Sequence, residues 1–156
     1  MEMKLLKILC FSFLLLTLWG CSWAERFMVV NETDQPIEIT YTLVPPEKTF
    51  AIFDNNPEAY ALRKKGQIDW NNKLPINDLD TSFQVVHVQL QPKALLIFGK
   101  LYNNTYTSYN QYFINGRSFN LVEMTITTNG ESQIIKPENF DEFFKKRNGS
   151  VSFVVK

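Results

Sequence analysis

The sequence predicts an all-β fold: a β-sandwich of about eight mostly antiparallel strands with one short embedded helix near residues 57–65. Three observations lead there. Ile37-Glu38-Ile39-Thr40-Tyr41-Thr42-Leu43 alternates strictly, so Ile37, Ile39, Tyr41 and Leu43 share one face, as a half-buried strand requires. Asn115-Gly116, Asn129-Gly130 and Asn148-Gly149 punctuate the second half with turn dipeptides at short intervals. Beyond the first 24 residues, only one stretch carries a full set of helix start and stop signals.

The elements follow in order. Residues 27–30 (Phe-Met-Val-Val) read as a strand and pair with 37–43 as a hairpin across the polar link Asn31-Glu32-Thr33-Asp34-Gln35-Pro36. Pro45-Pro46 ends the second strand. In the helical stretch Asn56 can cap, Pro57 suits the first turn, and Glu58 opposes the positive helix end. Lys64 and Lys65 suit the negative end and Gly66 stops it, while Ala59, Leu62 and Tyr60 could dock on a sheet. Trp70, Asn71-Asn72, Leu74-Pro75 and Asn77-Asp78-Leu79-Asp80 suggest a long ordered loop. Strands are then expected at 82–91 and 94–102 around the turn Pro92-Lys93, and at 106–114, 119–127 and 133–135. A helical turn is expected within 137–146, before a last strand at 151–155.

The amino-terminal segment reads as an export signal. Lys4 and Lys7 precede an apolar run over residues 8–19, too short for a membrane span. Two cleavages compete. Ser22-Trp23-Ala24 has small residues at the first and third positions before an ordinary signal-peptidase cut, leaving a mature chain of residues 25–156. Leu18-Trp19-Gly20-Cys21 resembles the bacterial lipobox, with Leu18, Gly20 and Cys21 in the pattern and Trp19 outside it. That resemblance implies a signal over residues 1–20 and lipidation of Cys21, with Ser22 directing the chain to the outer membrane. The ordinary cut is favoured, because a strand beginning near Phe27 leaves little tether behind a lipid. The expected location is periplasmic or secreted, the alternative an outer-membrane lipoprotein.

Cleavage after Ala24 leaves 132 of the 156 residues, enough for one β-sandwich domain. The whole chain carries 16 basic and 16 acidic residues; without Lys4, Lys7 and Glu2 the balance is 14 to 15. Such a near-neutral chain has no electrostatic reason to bind nucleic acid or an anionic membrane, so membrane attachment is expected only through Cys21. Both cysteines, Cys10 and Cys21, fall in or beside the signal, which leaves no disulfide to support the domain. Asn31-Glu32-Thr33, Asn103-Asn104-Thr105 and Asn148-Gly149-Ser150 fit the N-glycosylation pattern, but in a bacterial chain they are turn sequences.

The chemistry-bearing residues are few. His87, the sole histidine, falls opposite Val86, Val88 and Leu90 on its strand, and one histidine without a cysteine argues against zinc. No cofactor or metal is expected. Asp54, Glu58, Asp69, Asp78 and Asp80 cluster in the irregular region; paired carboxylates could hydrolyse glycosides, and Asp78-Leu79-Asp80 could offer hard oxygens to calcium. The bland alternative, a solvated acidic loop, outweighs both. The favoured ligand site is the Tyr/Asn-rich hairpin, with Tyr102, Asn104, Tyr106, Tyr109 and Tyr112 offering flat rings beside amides and hydroxyls to a glycan or protein.

These observations point to an exported envelope module that binds rather than catalyses. Residues 35–43 resemble the first strands of small β-sandwich lipoproteins that serve secretion and assembly machines. That one-strand resemblance implies an accessory structural role as the alternative. A carboxylate-based hydrolase is the third reading.

Overall fold

Alternating apolar residues and tight polar turns build an all-β sandwich, seen in a computed structural model that describes residues 22–44, 50–64, 66–76 and 84–156. Most of the signal segment, Cys21, Pro45-Pro46 and Asp78-Leu79-Asp80 lie outside the described residues. The strands are β1 (Ala24–Asn31), β2 (Ile37–Leu43), β3 (Phe50–Ala51), β4 (Phe53–Leu62), β5 (Ile68–Leu74) and β6 (Val85–Leu90). They continue with β7 (Ala94–Tyr102), β8 (Arg117–Ser118), β9 (Leu121–Thr128), β10 (Glu131–Ile135), β11 (Lys145–Arg147) and β12 (Ser150–Val155). A 3-10 turn over Pro137–Asn139 runs into the short helix α1 (Phe140–Phe143).

One sheet has the order β11-β12-β1-β7-β4-β5 and the other β10-β9-β2-β6, with a small β3-β8 pair beside them. Neighbours are antiparallel except β1 with β12 and β3 with β8, which run parallel. Between the sheets lies an aromatic core. The Phe27 ring meets Phe53 at 5.0 Å, Tyr106 at 5.1 Å and Phe140 at 6.2 Å, edge-on or tilted as ring quadrupoles prefer. Helix α1 is a plug in this core, because Phe140 is wholly buried and stacks on Phe144 at 4.2 Å.

The six-stranded sheet also buries part of its outer face. Met28, Leu95 and Ile97 form a second apolar cluster, covered by Tyr60, Leu62 and Ile68. Two strands separate β1 from β5, yet the Arg26 guanidinium stands 4.9 Å from the Trp70 ring. The sheet therefore curls until β5 lies back over its own outer face.

Four expected elements differ. The loop expected from Trp70 begins instead as strand β5, which pairs with β4 and sets the Trp70 ring edge-on to Tyr60 at 5.3 Å. The helix near 57–65 is absent, and strand β4 takes its place. Ala59-Tyr60-Ala61-Leu62 is a continuous apolar run, and the curled sheet needs both its faces: Ala59 enters the main core while Tyr60 and Leu62 cover the second cluster. Asn56 caps nothing; its N–H donates to Asp54 in a local turn, and Gly66 closes the β4–β5 connection by donating to the Arg63 carbonyl. β1 and β2 do not form a hairpin but enter opposite sheets. The buried Asn31 side chain makes that crossing, donating to the carbonyls of Gln35, Leu90 and Gln91.

The strand expected at 106–114 is likewise absent. There the Gln111 carbonyl oxygen accepts from the Thr107 hydroxyl and from the backbone N–H groups of Thr107 and Ser108, while its amide donates to the Thr105 carbonyl. One side chain thus satisfies backbone groups that a ladder would otherwise pair. The turns Asn129-Gly130 and Asn148-Gly149 behave as their sequences demand, with positive φ at both residues joining β9 to β10 and β11 to β12.

Candidate cleft at the β4 bulge

The site begins with a mismatch of register. β4 pairs Phe53 with Gly99 and next pairs Glu58 with Ile97, so residues 54–57 face Phe98 alone. The surplus backbone bows away from β7 and opens a cleft of about 710 Å³. Asn120, 6% exposed, fixes the near end by donating to the Phe53 carbonyl at 3.1 Å and accepting from its N–H at 2.9 Å. Tyr41 donates its hydroxyl to the Asp54 carbonyl at 2.8 Å. Burial, followed by the nearby Asp54 charge, holds that phenol well above its ordinary value, so it remains a donor.

Gly99 permits the close approach behind the bulge. A Cβ there would stand 2.7 Å from Phe53 Cδ1 and 2.9 Å from the Ile52 carbonyl oxygen. Gly99→Ala is expected to cost about 1–3 kcal/mol through overpacking and to shift the cleft wall. Thermal unfolding reads the first effect and ligand affinity the second.

The cleft is polar and charged. Glu58 takes Lys100 at 2.7 Å on one carboxylate oxygen and Lys73 at 3.0 Å on the other. The hydrogen bond from Lys100, then that from Lys73, lowers the Glu58 carboxyl below its ordinary value. It is thus ionised at neutral pH and unsuited to be a proton donor. At the mouth, the Arg117 guanidinium lies 5.6 Å from the Phe50 ring and 5.3 Å from the Tyr102 ring, and donates to the Ala51 carbonyl at 3.0 Å. Two rings and one carbonyl hold it in place while further N–H groups remain for an anion.

The residues singled out in sequence are spread over the fold. Tyr102, 42% exposed, is on the cleft rim. Tyr106 is a core residue: it is 3% exposed, stacks near Phe113, and donates its hydroxyl to Asp141 at 2.6 Å. Burial first, then Asp141, raises its phenol above the ordinary value. Asn104 is also buried; its Oδ1 accepts from Thr105 N–H and its Nδ2 has no partner among the described residues. Tyr109 packs edge-on against Phe119 at 6.0 Å, while Tyr112 stands 90% exposed. The five therefore do not share one surface.

His87 lies on the outer face of the four-stranded sheet, its Nδ1 2.9 Å from the Thr40 hydroxyl. Asp69 is paired with Arg63 at 2.7 Å. Among the described residues no group of three His, Cys, Asp or Glu side chains could hold a metal ion. Lys100, Arg117 and Asn120 line the cleft, Phe50 flanks Arg117, and none of the four was singled out in sequence. One signal pointed there: the isolated Gly99 inside an apolar strand, which marks a bulge or a close backbone approach.

Comparison with protein-family models, curated proteins and solved structures finds no match. The functional reading therefore rests on the geometry of the chain itself.

Proposed function

We propose that the protein is an exported binding module of the bacterial envelope, without catalytic activity, and that the cleft at the β4 bulge is its ligand site. The observation behind this reading is the Arg117 guanidinium held between the Phe50 and Tyr102 rings at the mouth of a polar cleft. Its chemistry suits an acidic glycan. Aromatic rings present flat apolar faces to sugar C–H groups, the amides of Asn55 and Asn56 can reach hydroxyls, and Arg117 grips a carboxylate.

The test is calorimetric titration with a panel of acidic oligosaccharides. Arg117→Ala should weaken binding at least about tenfold, because a charge-assisted hydrogen bond contributes roughly 1.5–3 kcal/mol. Unchanged affinity in that variant, or no affinity in the parent for any acidic glycan, contradicts the reading.

The second reading is an accessory lipoprotein of an envelope machine, and the way the chain enters the fold favours it. Trp23 and Asn103 exchange hydrogen bonds, Trp23 N–H to Asn103 Oδ1 at 3.2 Å and Asn103 N–H to the Trp23 carbonyl at 3.0 Å. Ala24 pairs with Tyr102, and Glu25 is a core residue. A cut after Ala24 would remove two residues that bind the sheet, whereas a cut before Cys21 retains them. On this reading the chain is an outer-membrane lipoprotein; with the ordinary cut it is periplasmic or secreted.

A further inference from the structure

We infer that the end of the sandwich where β1 begins seats against a phospholipid surface. Nine large apolar side chains stand exposed among the described residues, and five of them gather at this end. They are Trp23 (47% exposed), Phe50 (67%), Tyr102 (42%), Tyr112 (90%) and Ile114 (57%). Contacts place the first three, and the path of the chain into Arg117 places the last two. Trp23 is hydrogen-bonded to Asn103, next to Tyr102; Tyr102 and Phe50 flank Arg117; Tyr112 and Ile114 lie on the segment leading directly into Arg117.

The composition of the patch fits a bilayer interface. Tryptophan and tyrosine concentrate at the headgroup level, where their rings are apolar and their N–H and O–H groups remain wet. Arg117 in their midst can meet lipid phosphates bidentately. The path of the chain selects the same occupant. Only Ser22 separates Trp23 from Cys21, and the apolar run over 8–19 lies just upstream. Whatever attaches the chain to a membrane through this segment brings that end of the sandwich to the lipid. Tyr102 and Arg117 also rim the cleft, so a seated domain opens its cleft at the membrane surface. The inference rests on the second reading above, because it needs the cut before Cys21 that keeps Trp23 in the mature chain.

The test uses the exported protein purified from its own cells, carrying Trp70→Phe so that Trp23 reports alone once the signal is removed. Its amino terminus is read first. It is then mixed with vesicles of phosphatidylglycerol and brominated phosphatidylcholine. Blue-shifted, bromine-quenched Trp23 emission supports the inference, as does a loss of about half or more of that quenching in Tyr112→Ser/Ile114→Ser. Both substituted side chains stand exposed to solvent, so fold and cleft should persist. Solvent-like emission on vesicles overturns the inference. So does equal quenching in the double variant, or a mature chain beginning at Glu25.

Discussion

Replacing Phe27 with alanine is expected to lower stability by about 4 kcal/mol, the largest single effect anticipated in this domain. Phe27 sits in β1, between β12 and β7, and its ring is wholly buried against four others: Phe53, Phe98, Tyr106 and Phe140. The substitution removes the apolar transfer term and leaves a cavity that the six-stranded sheet and the plug helix cannot collapse to fill. It also takes away the edge-on partners of Phe53 and Tyr106, each pair contributing about 0.5–1.5 kcal/mol beyond area. Chemical denaturation should show a lower midpoint with an unchanged slope. A loss under about 1 kcal/mol would mean that the two sheets are not joined through this ring.

Glu25→Ala is expected to cost about 3 kcal/mol. The carboxylate is 1% exposed, accepts the Tyr106 N–H at 2.6 Å, and pairs with Lys146 at 2.8 Å. Its side chain therefore joins β1, the 103–113 segment and β11. Removing it orphans a buried N–H and strips Lys146 of its charged partner, leaving it the Tyr106 carbonyl at 3.2 Å. The loss stays at the lower end for broken buried pairs because the Lys146 side chain is 41% exposed and can hydrate. Glu25→Gln keeps the acceptor for Tyr106 and should lose about half as much. Equal losses in the two variants would assign the whole effect to charge. No loss in either would contradict the buried lock.

Much of the fold was legible because local pattern and burial agree. The alternation of Ile37, Ile39, Tyr41 and Leu43 survives as the buried face of β2, and Asn129-Gly130 turns one strand into the next. What failed was information that lives elsewhere in the chain. The apolar run 27–30 and the alternation in 37–43 read the same whether the two strands pair or face each other across a core, and the choice is made by Asn31 reaching carbonyls about 60 residues away. Residues 57–62 carry good helix signals, but a partner face on each side outweighs them, as tertiary context often does. Tyr102, Tyr106 and Tyr112 share parity in sequence, yet Gln111 winds the segment up so that one rims a cleft, one fills the core and one meets solvent.

The cleft was largely illegible for the same reason. It needs Phe53 opposite Gly99, Phe50 opposite Arg117 and Asn120 on the Phe53 backbone, three pairings that no local window contains. Tyr102, Asp54 and Glu58 were named for other reasons and line it, and Gly99 marked the close approach behind the bulge.

The central claim is that this cleft takes an acidic glycan, and amide chemical-shift mapping during titration with an acidic oligosaccharide tests it most directly. The account predicts saturable shifts concentrated at residues 54–58, 99–102 and 117–120, with the surface around His87 silent. Shifts centred on the His87 face, or spread over the sandwich without saturation, would contradict it.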